Sequence, residues 1–131
     1  MKPLFKTLFF IMLIISSCKK DEIKIDPNNL LIGTWNYSDY QDNAMVYIRS
    51  GKFIDNRGYK FNSDGTVVER TFAGWCATPP VSYSNYQGTW SILNDTLIQT
   101  EITYYDGLRP YRLAIKLVDS KSLKLTFVSD K

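Results

Sequence analysis

Few residues in this chain are equipped for chemistry. Its 131 residues include no histidine and two cysteines, Cys18 and Cys76. Without histidine, no side chain has an ordinary pKa near neutrality, so the usual general base is missing. A thiol at Cys76 therefore has no imidazole to activate it. The glutamates are Glu22, Glu69 and Glu101. Glu22 falls in a polar N-terminal stretch, while Glu69 and Glu101 fall on strand faces that otherwise read as solvent-exposed. The aspartates cluster at turns, where a carboxylate accepts backbone N–H groups. Asp55, Asn56 and Asp64 carry oxygens of the kind a metal takes, but capping a turn is the plainer use for them. We expect no catalytic residue, no metal and no cofactor, and hence not an enzyme.

Cys18 does stand in a chemical context. Lys2 and Lys6 precede the unbroken apolar run "LFFIMLII", Leu8 to Ile15. A spanning helix needs roughly 20 apolar residues, so this run is too short to anchor the mature protein. A basic start, a short apolar core and small residues before a break make a secretory signal peptide. Ile15-Ser16-Ser17-Cys18 resembles the bacterial lipobox, an aliphatic and two small residues before a cysteine. The resemblance implies lipid joined through the sulfur of Cys18, cleavage before it, and acylation of the new amino group by a palmitate-like chain. The other reading is an ordinary signal peptide cut near Ser17, with Cys18 incidental.

The expected division is a leader over residues 1–17, a lipidated cysteine and tether over 18–29, and a domain over 30–131. Lipid chains contribute about 0.8 kcal/mol per buried methylene, so several of them hold a protein on a bilayer without a spanning helix. The segment "KKDEIKIDPNN" has no helical or strand periodicity and reads as a tether. It reaches roughly 36 Å when extended. "CKKDE" resembles the surface-export signal of lipoproteins of the Bacteroidota, although a solvated linker has a similar composition. The expected location is the cell envelope, as an outer-membrane lipoprotein that is surface-exposed if that signal operates.

A lipidated Cys18 leaves Cys76 without a disulfide partner or a C-x-x-C pair, and it reads as a small buried apolar residue. The 16 basic and 13 acidic residues give a net charge of +3. Without Lys2 and Lys6 the balance is 14 to 13. No nucleic-acid surface is expected.

The domain is rich in tyrosine, threonine, tryptophan, isoleucine and valine, and lacks helical spacing. Alternation and turn residues predict strands at Gly33–Tyr40, Ala44–Ser50, Arg57–Asn62, Thr66–Phe72, Tyr86–Leu93, Thr96–Tyr105, Pro110–Val118 and Ser122–Val128. "NSDGT" places Gly65 where a hairpin wants positive φ, and "LNDT" sets polar residues between apolar strand ends. Such short links join antiparallel neighbours. Leu113, Ile115 and Leu117 face one way, as do Leu123, Leu125 and Phe127, so each strand has a buried and a wet face. The expected fold is all-β, an antiparallel eight-stranded up-and-down meander closing into a barrel, which removes exposed edges. An open sandwich is the alternative.

A Gly-x-Trp at Gly33-Thr34-Trp35, opening such a meander, resembles the lipocalins. It looks most like the small lipocalin-like domains of Bacteroidota lipoproteins, through "LIGTW", "YKFNSDGTV", "GTWSILNDTLI" and "SLKLTF". The resemblance implies that Trp35 plugs the closed end of the barrel, that Gly33 lets neighbouring backbone approach, and that Trp90 in the second Gly-x-Trp, after Gly88, points inward. The chain departs from secreted lipocalins in its length, in lacking an obvious helix after the barrel, and in having no arginine after Val118 to stack on the tryptophan.

Two features remain as candidate sites. The stretch "AGWCATPPVSYSN" lacks periodicity and is long for a strand connection. Trp75, Tyr83 and, just beyond it, Tyr86 make it a candidate binding loop; alternatively Trp75 and Cys76 fold back over one end of the barrel. Asp95-Thr96-Leu97 resembles the O-glycosylation motif of the Bacteroidota, with Thr96 as acceptor. The expected function is a membrane-anchored, non-catalytic module binding a small apolar ligand or an envelope component. The alternative is a filled barrel that serves as an accessory subunit or inhibitor. If Trp35, Phe61, Trp90, Ile102, Ile115 and Phe127 meet in the middle, no ligand fits. Tyr37, Tyr59 and Tyr111 are the polar handles expected inside.

Overall fold

Period-two alternation produces strands throughout the computed structural model, which describes residues 30–73 and 81–129. The strands are β1 (Gly33–Gln41), β2 (Ala44–Ser50), β3 (Gly58–Phe61), β4 (Thr66–Phe72), β5 (Tyr83–Asn94), β6 (Leu97–Tyr104), β7 (Gly107–Val118) and β8 (Ser122–Val128). Every pairing is antiparallel and the ring closes. The eight-stranded barrel expected from the alternation is the fold, and closure excludes an open sandwich. The leader, the tether with Cys18, and Trp75 with Cys76 lie outside the described residues.

Strands β3 to β8 form an unbroken up-and-down meander. The β1–β2 hairpin completes the ring with β1 against β3 and β2 against β8. Residues 51–57 therefore cross the outer face of β1 to reach β3. Asn36, the outward neighbour of inward-facing Trp35, pins that crossing. Its Nδ2 donates to the Lys52 carbonyl at 3.0 Å, and its Oδ1 accepts from the Ile54 N–H at 3.2 Å. Each bond leaves a polar group of a nearly buried asparagine satisfied.

Three strands are longer than their alternation indicated, β1 by Gln41 alone. Tyr83 pairs with Phe72, so β5 starts three residues before Tyr86 and absorbs part of the expected loop. Gly107 pairs with Tyr104, carrying β7 back past Pro110. The β7–β8 ladder begins only at Arg112, so Pro110 sits on an edge stretch, where a residue without an N–H is tolerated. The Gly65 turn has φ of 86°, as its hairpin requires.

The lower half of the barrel is filled. Trp35, Phe61, Ile102 and Ile115 are buried with Trp90 in one core cluster. Phe127 does not join them: the residue is 53% exposed at the opposite end. Leu117 is also partly exposed rather than inward, because a register shift between Ile115 and Leu117 turns the alternation over.

Candidate functional site

The end of the barrel away from Trp35 is open and carries a carboxylate. On β4, Val67 is buried, and a period of two turns Glu69 and Thr71 to the same inner side. This corrects the expectation that Glu69 faces solvent. The phenol of Tyr59, from β3, donates to Glu69 Oε1 at 3.3 Å, and that of Tyr104, from β6, donates to Oε2. Glu101, two residues before the Thr103 neighbour of Tyr104, is exposed as expected.

Burial pushes the Glu69 pKa up, while hydrogen bonds from Tyr104 and Tyr59 and the nearby Arg57 charge pull it down. Burial, reinforced by the Glu69 charge, pushes the Tyr59 and Tyr104 hydroxyls above their ordinary value. The phenols therefore stay protonated and act as donors, with the carboxylate as acceptor.

Above this carboxylate lies a cavity of about 410 Å³, lined among others by Glu69, Tyr86, Tyr104, Arg109, Tyr111 and Phe127. A smaller recess of about 170 Å³ shares Glu69, Thr71, Phe72 and Phe127 with it and runs towards Tyr47 and Tyr59. Aromatic rings line both. Tyr86 meets Tyr104 with centroids 5.1 Å apart, Tyr104 meets Tyr111 at 6.2 Å, and Tyr111 meets Phe127 at 5.6 Å. On the other side Tyr37, Tyr47 and Tyr59 follow one another at 5.7 and 5.5 Å. All three expected polar handles thus belong to these ring series, with Tyr59 buried and bonded to Glu69.

The tryptophans of the two Gly-x-Trp motifs lie towards the other end, with Gly88 between Val67 and Ile102 on the way. Trp35 is fully buried and its indole N–H donates to the Leu31 carbonyl at 2.9 Å. The Trp90 indole donates to the Asn62 carbonyl, also at 2.9 Å. Gly88 lies between the strands, where a Cβ would overlap the Glu101 carbonyl and stand 2.8 Å from the Ile102 Cα. At Gly33 the close neighbour is the Arg49 guanidinium rather than backbone, and φ there is 138°. Arg49 also lies 4.2 Å from the Trp35 ring centroid, so a cation does stack on that tryptophan, contributed by β2.

Tyr86 lines the cavity, but Tyr83 points to the other face of β5 and stacks on Phe72 at 5.5 Å. The candidate loop is therefore not one surface in its described part. Thr96 is exposed in the turn between β5 and β6, its N–H bonded to Asn94. Among the described residues, no group of three or more His, Cys, Asp or Glu side chains could hold a metal. Asp64 accepts instead from the Thr66 N–H and hydroxyl, at 2.9 and 2.7 Å.

Comparison with models of known families, with curated proteins and with solved structures finds no match. The site therefore rests on its own geometry. Its arrangement offers acceptors, ring faces and a recess of ligand size, with no nucleophile–base pair among the described residues.

Proposed function

We propose that this protein is a non-catalytic binding module, a lipocalin-like barrel held on the envelope membrane by lipid at Cys18, that receives a small, largely apolar ligand at its mouth. The observation that carries this reading is the cavity of about 410 Å³ above a packed lower half. Ligand pockets are of about 300–1,000 Å³, mostly apolar, with a few convergent polar groups. Tyrosine rings supply the apolar wall here, and Glu69 with its phenols supplies the polar point.

The chain enters the barrel at the closed end, where Leu31 is bonded to Trp35. A tether arriving there favours a mouth turned away from the bilayer. The filled lower half and the exposed Tyr105 and Leu108 of the rim favour the second reading, an interaction protein without a small-molecule ligand. The two readings separate in native mass spectrometry of the protein released from its own envelope in mild detergent. A stoichiometric small guest supports the binding module; repeated isolation without one supports the interaction protein.

A further inference from the structure

The charge in the mouth is unevenly matched. Arg109 pairs with Asp106 across the β6–β7 turn. Arg57 lines the smaller recess with Glu69 and acts on it through space, but its guanidinium stacks 4.1 Å over the Tyr37 ring and lies 5.7 Å from Phe72. Glu69 is held by neutral phenols, and among the described residues no cation comes within ion-pair distance of it. A carboxylate has about four acceptor positions, and the two phenols occupy one on each oxygen. Glu69 faces both the main cavity and the smaller recess, so its remaining positions are open to a guest. Around it stand the rings of Tyr86, Tyr104, Tyr111 and Phe127, whose faces attract a cation.

We propose that the mouth selects ligands bearing a positively charged amine on a short apolar body, with the ammonium against Glu69 and the Tyr104 and Phe127 rings. This deepens the ligand-binding reading and rests on it. An ammonium gives the carboxylate the charge-assisted hydrogen bonds that the phenols do not. A neutral guest offers the carboxylate at most one hydrogen bond without a balancing charge, and an acidic one would be repelled. The Asp106–Arg109 pair at the rim is already matched and favours neither sign. The same ammonium chemistry comes from a free amine or from an ethanolamine lipid headgroup.

Isothermal titration of the full-length protein at neutral pH with 2-phenylethylamine, 2-phenylethanol and phenylacetate compares three charges on one apolar body. The amine is expected to bind at least about tenfold more tightly than the alcohol, with phenylacetate the weakest. Glu69→Gln should bring the amine to within about twofold of the alcohol. Should that variant fail to fold, Phe127→Leu, at an exposed ring, should reduce the amine preference several-fold. Competition by ethanolamine-phospholipid vesicles, but not by phosphatidylglycerol vesicles, would place the ammonium on a lipid; no competition would leave a free amine. Equal binding of the three probes overturns the amine inference and leaves the ligand site standing. If no probe binds and the native spectrum shows a neutral guest, the amine inference again fails alone. If no probe binds and no guest is seen, both fall.

Discussion

The guanidinium of Arg49 lies 4.2 Å from the centroid of the Trp35 ring while its Nη1 donates to the Ile32 carbonyl at 2.8 Å. Its other terminal nitrogen donates to the Leu30 carbonyl. One side chain from β2 thus ties the segment entering the barrel to the tryptophan that closes it. A planar fork can stack and donate twice at once, which an ammonium cannot.

Truncation at this closure should be costly. Trp35→Ala removes a fully buried aromatic and should destabilise by about 3–5 kcal/mol. Arg49→Lys keeps the charge but loses the fork and the stacking, so about 1–2 kcal/mol is expected. Urea unfolding followed by circular dichroism measures both. An Arg49→Lys variant as stable as the parent would mean that the stacking contributes nothing.

The glycines separate in the same assay. A methyl at Gly88 would run into the backbone of Glu101 and Ile102, which cannot rotate aside, whereas Gly51 has open space around its Cα. Gly88→Ala should cost about 1–3 kcal/mol or more, and Gly51→Ala should change little. Equal effects would contradict the close β5–β6 approach.

Much of this architecture was legible because strands with one wet face announce themselves by alternation. The alternation points Leu113, Ile115, Leu123 and Leu125 inward, and all four are buried. The reading failed where the period breaks or where distant strands meet. The slip after Ile115 turns Leu117 outward, and Phe127 reaches the mouth instead of the core. The meander sets β2 beside β1, but only the register that opposes Trp35 to Arg49 brings the guanidinium onto the ring. Glu69 was missed although the signal was present, since a buried Val67 turns the residue two further along to the same side. At this position the period of two, not the polarity of the side chain, decides which way the residue faces.

The burial of Glu69 has a pH signature. Its folded pKa is raised, so between the unfolded value and the folded one the native state binds more protons than the unfolded state. The stability contribution is therefore full below the unfolded value of about 4.3 and is lost as pH rises through the folded pKa. Parent minus Glu69→Gln should become more favourable to the parent as pH falls through that window. Thermal melts at a series of pH values test this, and a difference that is flat with pH would mean that burial does not outweigh the hydrogen bonds to Glu69. Measuring the difference cancels the exposed Asp39, Asp64 and Asp119, whose pKa values are lowered by hydrogen bonds and which act in the opposite sense.

The proposed anchor gives a separate expectation. Metabolic labelling with an alkyne fatty acid should mark the protein, and Cys18→Ser should lose the label and accumulate uncleaved precursor. Undiminished labelling of the serine variant would remove the lipoprotein reading.

The central claim is that the mouth, above a filled lower barrel, is where a small guest resides. Its most direct test is native mass spectrometry of protein released from its own envelope, compared between two tryptophan insertions. Thr71→Trp fills the mouth, whereas Ser63→Trp adds the same bulk in the exposed turn between β3 and β4 at the closed end. The account predicts a one-to-one guest on the parent and on Ser63→Trp, and its loss from Thr71→Trp. A guest retained by Thr71→Trp, or none on any of the three, would contradict it.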